Sequence, residues 1–177
     1  VYEKSRGHTA IDIAVKNGDK EIENMILAAC LKIKIVETIK TFGVNPDLCN
    51  KISDHSKDIQ KELAKQVDLD IEKLSKQGKG LNIKMLISVF PEENRMEYFA
   101  NSARKAIIEC ASNGKGKKVD IILESFPNQQ DRNKILNSAL LTPFTPRSKP
   151  LLVNLKSKSF CTMVSANSSK ANSAENY

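Results

Sequence analysis

The chain has 177 residues, of which 40% are apolar and 28% charged, and a formal net charge of +7. That length suits one domain of ordinary size, burying roughly 65 to 70% of its unfolded surface, and no run approaches the roughly 20 apolar residues that a membrane span requires. The charge is uneven: beyond Thr142 the residues Arg147, Lys149, Lys156, Lys158 and Lys170 stand against Glu175 alone and supply four of the seven net charges. The rest of the chain is only mildly basic, which is weak support for a nucleic-acid ligand. Cys30, Cys49, Cys110 and Cys161 form no CxxC pair and no regular spacing, so reduced, buried thiols and a cytoplasmic setting are expected. The chain opens without Met, and Val1 to Gly7 read like the interior of a repeat, so upstream repeats are expected to precede it.

In chain order, Thr9 is placed to cap a helix through its hydroxyl. Ile11 and Ala14 recur at helical spacing, and Gly18 stands where that helix needs a left-handed residue. Ile22, Met25, Ile26 and Ala29 predict the inner stripe of a second helix. The run Gly7-His8-Thr9-Ala10-Ile11-Asp12-Ile13-Ala14, with Asn17-Gly18-Asp19-Lys20-Glu21-Ile22 and Met25-Ile26-Leu27, resembles the ankyrin repeat, with Ala10 at the family's proline and Asp12 at its histidine. The resemblance covers one unit. It implies two antiparallel helices stacked on their neighbours, with residues 1 to 8 as a projecting turn. It also implies partner contacts at Glu3, Lys4, Arg6 and His8 in that turn, and at Asp12 and Lys16 on the exposed face of the first helix.

Leu31, Ile35, Val36, Ile39 and Phe42 predict a third helix ending at Gly43, and Asn45, Pro46 and Asp47 predict the start of a fourth with Leu48 and Ile52 facing inward. Ser56 to Gln66 predicts a further short helix. Two longer stretches then match at an offset of 36: Asp70 to Ile87 with Ala106 to Leu123, including Gly78-Lys79-Gly80 against Gly114-Lys115-Gly116. Phe90-Pro91 and Phe126-Pro127 extend the match. A period in the 20 to 50 range marks stacked repeats, here of the form helix, glycine turn, helix.

These observations predict an all-α solenoid of helix-turn-helix units at about 1 to 30, 31 to 66, 67 to 102 and 103 to 141, followed by a disordered basic tail over 142 to 177. Repeat stacking creates an extended surface that suits recognition of another protein. Catalysis is not expected, and neither is a cofactor or a metal. Gly114-Lys115-Gly116-Lys117-Lys118 lacks the strand and glycine spacing of a phosphate loop, and His8 and His55 sit in no ligand pattern. A second reading has nucleic acid bound through Lys76, Lys79, Lys115, Lys117 and Lys118 beside the glycine turns. With no Trp and few aromatic residues to stack on bases, that reading is the weaker one.

Overall fold

Thr9 opens the first helix, α1 (Ala10–Asn17), by a reciprocal cap. Its backbone N–H donates to Asp12 Oδ2 at 2.8 Å, and its hydroxyl oxygen accepts from the Asp12 N–H at 3.3 Å. Asp12 therefore completes the cap from the third position of the helix. The computed structural model describes residues 9–141 and Val153. The projecting turn expected over residues 1 to 8 and the tail expected from 142 lie outside the described residues, apart from Val153. Gly18 closes α1 in the left-handed region, and Asp19 Oδ1 caps the next helix by accepting from the Ile22 N–H at 3.1 Å.

That next helix, α2 (Lys20–Phe42), is one uninterrupted rod of 23 residues, where the sequence reading placed two helices meeting near Ala29. No Gly or Pro stands between Lys20 and Phe42 to break it. The inward stripe is corrected with it. Ile22 and Met25 are exposed, whereas Ala28 and Ile35 are buried, with Leu31 and Ile39 packed beside them. The seam with α4 (Lys57–Lys76) runs along α2 from Met25, whose carbonyl accepts from Gln66 Nε2 at 3.3 Å, to Lys32, which pairs with Asp70 at 2.9 Å. Between the two runs α3 (Pro46–Ser53), started by Asn45 and Pro46 as expected, with Leu48 and Ile52 buried. The short helix expected to stop at Gln66 is the first half of α4, because Val67, Ile71 and Leu74 carry its apolar stripe onward.

The remaining helices are α5 (Gly80–Ser88), α6 (Glu92–Ser112), α7 (Gly116–Leu123) and α8 (Gln129–Leu140), and the described residues contain no strand. Long and short helices alternate. α2, α4 and α6 span 23, 20 and 21 residues and are followed by α3, α5 and α7 of 8, 9 and 8. Gly43, Gly78 and Gly114, all at positive φ, make the turns between long and short partner. The unit boundaries read at 30/31, 66/67 and 102/103 therefore cut through α2, α4 and α6. The 36-residue match lies on the α4–α5 and α6–α7 pairs.

Consecutive long helices pack side by side, α2 on α4, α4 on α6 and α6 on α8, while α5 packs on α7. One apolar cluster runs through them from Ala28 to Ala139. Phe90, Phe99, Ile107 and Ile122 are completely or almost completely buried, and Phe90 meets Phe99 edge to face with ring centres 4.7 Å apart. Each such side chain contributes roughly 1.5 to 3 kcal/mol by leaving water. The joints between units are held by polar groups. Buried Gln60 donates to the carbonyls of His55 and Ser53 at 2.8 and 3.4 Å, and accepts from Asn94 Nδ2 at 3.1 Å, tying α3, α4 and α6 together.

Candidate interaction surface

Asp12 and Lys16 are exposed one turn apart on α1, on the face where the ankyrin resemblance puts partner contacts. The Asp12 carboxylate is already engaged, accepting from both the N–H and the hydroxyl of Thr9, so its first role is local. Beside them, Ile13, Val15, Ile22 and Met25 present apolar surface that the sequence reading turned inward or passed over. Glu3, Lys4, Arg6 and His8 lie outside the described residues.

The glycine turns of the two matched units adjoin because α5 lies on α7. A Cβ on Gly80 would stand 2.9 Å from the Lys118 carbonyl oxygen, so the contact needs glycine on the α5 side. The Lys115 side chain lies over Gly78, and its Nζ donates to the Gln77 carbonyl at 3.5 Å. Lys84 of α5 pairs with Glu124 at the end of α7. Of the five lysines expected to form a basic strip, Lys76 is held by Glu72 at 2.8 Å and Lys115 reaches back over the neighbouring turn. Lys79 and Lys117 are exposed, and Lys118 is half-buried.

A feature absent from the sequence reading lies on the opposite side of α5. A groove of about 330 Å³ opens between α2, α4 and α5, with Val36, Ile39, Leu74 and Leu86 as its floor and Lys40 and Lys73 on its rim. The repeat also changes at the turn that follows α2. Gly43-Val44-Asn45 stands 35 residues before Gly78-Lys79-Gly80, so Asn45 occupies the position of Gly80. Gly80 lets α5 close on the α7 backbone. Asn45 carries a side chain, spends it capping α3 by accepting from the Leu48 N–H at 2.9 Å, and α3 has no comparable packing against α5. Cys49 Sγ touches the Ser88 carbonyl at 3.8 Å. Asn82 of α5 corresponds to Lys118 of α7, and where the Lys118 backbone lies against Gly80, Asn82 is left lining the groove.

Burial pushes the Cys49 and Cys110 thiols up, away from the thiolate that a nucleophile needs, with Arg95 partly offsetting the effect at Cys49. Among the described residues no group of three or more His, Cys, Asp or Glu side chains is placed to hold a metal ion. Cys30, Cys49 and Cys110 are free thiols, with Cys110 buried and the other two half-buried. No helix among the described residues is long and apolar enough to cross a membrane. No family model, curated protein or solved structure matches the chain.

Proposed function

We propose that this chain is an ankyrin-like α-solenoid module that binds another protein and has no catalytic activity of its own. The observation that carries this reading is the succession of α2, α4, α6 and α8, each packed on the one before, with a glycine turn after each of the first three. Such a stack grows in one dimension and exposes side chains along its edges for recognition, while the buried spacing stays constant. The one clear ankyrin-like opening, with its Thr9 cap and Gly18 stop, supports the family. Three free thiols support a reducing compartment such as the cytoplasm.

The test is site-specific photo-crosslinking in cells of the source organism, with a photoreactive residue replacing exposed Lys61 or Lys134. A protein crosslinked from either position should rebind the purified chain at fixed stoichiometry in calorimetry. If every crosslinked protein fails to rebind, the module reading is wrong. A second reading, nucleic acid held by the lysines of the glycine turns, is favoured by one fact: the α4–α5 and α6–α7 turns adjoin, as shown by Lys115 bonding to Gln77.

A further inference from the structure

The α2–α4–α5 groove combines two properties seldom left together on a surface. Its floor is apolar, with Leu86 nearly buried and Val36, Ile39 and Leu74 half-buried. Its rim is cationic: Lys40 and Lys73 are exposed, while the rim's one carboxylate, Asp70, is paired with Lys32 at 2.9 Å. The groove therefore offers two positive charges whose partners must come from elsewhere. Phe42, 75% exposed, lies one turn beyond Ile39 on α2 and extends the apolar surface past the end of the floor. An aromatic side chain that open, beside a half-filled groove, is the pattern of a recognition surface.

We propose that this groove binds an acidic, amphipathic segment of a partner protein. The segment's apolar side chains fill the floor between α2 and α4, its carboxylates meet Lys40 and Lys73, and Gln77 and Asn82 offer amide groups to its backbone. The inference rests on the interaction-module reading and names the surface and chemistry of the partner. Charge complementarity selects this occupant. A second copy of a chain with net charge +7 brings like charge. Nucleic acid would satisfy the lysines but leave the aliphatic floor of Val36, Ile39, Leu74 and Leu86 without a partner.

The experiment uses the full chain as bait for a phage library of random 16-residue peptides. Enriched peptides are resynthesised with a fluorescent label and titrated into wild type, K40E/K73E and N82W. Both lysines and Asn82 are exposed, so the variants should melt within a few degrees of wild type. The expected result is enrichment of peptides that combine Asp or Glu with Leu, Ile or Phe. Their affinity should fall about tenfold or more in K40E/K73E, where two attractions become repulsions, and likewise in N82W, where the indole fills the groove. Lysine-for-glutamate versions of the peptides should regain binding to K40E/K73E. Peptides that bind all three proteins equally would overturn the groove and leave the interaction-module reading standing. Failure to enrich any acidic, apolar sequence would also overturn it, and the crosslinking experiment would then decide the module reading separately. Displacement of the peptide by RNA at physiological salt would assign the groove to nucleic acid instead.

Discussion

Arg95 of α6 donates from Nη1 to the carbonyl of Ser125 at 2.9 Å, across 30 residues of sequence. The same guanidinium donates from Nη2 to Ser88 at 2.8 Å and from Nε to Phe90 at 2.9 Å. One side chain thus satisfies carbonyls at the ends of both α5 and α7. The device recurs. Gln60, 35 residues earlier, donates to Ser53 and His55, and Arg132, 37 residues later, donates to Phe126 and Pro127. Helix C-termini leave carbonyls without partners, and in this chain a long polar side chain from the next long helix supplies the donors.

Arg95→Ala is therefore expected to destabilise the chain by about 3 kcal/mol, because it strands buried carbonyl acceptors as well as removing the bonds. Arg95→Lys should recover less than half of that, since an ammonium cannot copy the planar fork that spans two helix ends. Urea unfolding of both variants checks this, and a loss under about 1 kcal/mol for the alanine variant would contradict it.

Gly80 and Gly114 separate two reasons for a glycine. Gly80→Ala would set a methyl 2.9 Å from the Lys118 carbonyl oxygen, a backbone atom that moves only with α7. An overpacking cost of about 1 to 3 kcal/mol is expected. Gly114 has open space around it but φ of +68°, so Gly114→Ala should cost about 1 kcal/mol through backbone conformation alone. Pairing Gly80→Ala with Lys118→Gly should rescue nothing relative to Lys118→Gly alone, because the clash is with backbone. A Gly80→Ala cost that vanishes in the Lys118→Gly background would show that Lys118 Cβ, at 3.0 Å, is the real obstacle.

How far the sequence reveals this architecture depends on what each feature rests on. The 36-residue match was visible because Gly78 and Gly114 make the same turn and Phe90 and Phe126 fill the same buried position, so like residues do like work. Helix ends were harder. Apolar spacing continues without a breaker through Ala28 to Leu31 and through Val67 to Leu74, and an arbitrary stop within it has no physical marker. The groove was invisible for another reason: its lining comes from α2, α4 and α5, which only the three-dimensional packing brings together. The engagement of Lys115 likewise depends on a neighbour from another turn, whereas the Glu72–Lys76 pair has the i,i+4 spacing that a sequence does display.

Asp68 on α4 gives a test by pH. It is half-buried, and Ser102 Oγ of α6 donates to its Oδ1 at 2.6 Å. Burial raises its pKa above the ordinary aspartate range, against the opposing pull of Ser102 and Lys105. The folded state therefore holds the Asp68 proton more tightly than the unfolded state. Ionisation costs stability above the folded pKa, and that cost is relieved as pH falls through it towards the unfolded value. Asp68→Asn keeps an acceptor for Ser102 without the buried charge. It should match or exceed wild-type stability at neutral pH, and its advantage should shrink as pH falls through the raised pKa of folded Asp68. An asparagine variant less stable than wild type at neutral pH and equal to it in acid would reverse the sign and refute this account.

The lysines of the adjoining turns decide between the two functional readings. Lys76 is held by Glu72 and Lys115 is drawn back to the Gln77 carbonyl, which leaves Lys79, Lys117 and Lys118 as the most available for phosphate. Three contacts to a single strand would make log affinity fall with log salt at a slope of about −2. A purely electrostatic complex of that size is weak at physiological salt, where the Debye length is about 8 Å. Titration of labelled RNA and DNA should therefore show binding at low salt that disappears near 150 mM, with little change when all five lysines are replaced by Glu and assayed at the higher salt. Tight binding that persists there, with a slope much steeper than −2 and loss in the five-lysine variant, would mean that Lys76 and Lys115 leave their partners to join the contact. The basic turns, and not the apolar groove, would then be the surface on which this chain acts.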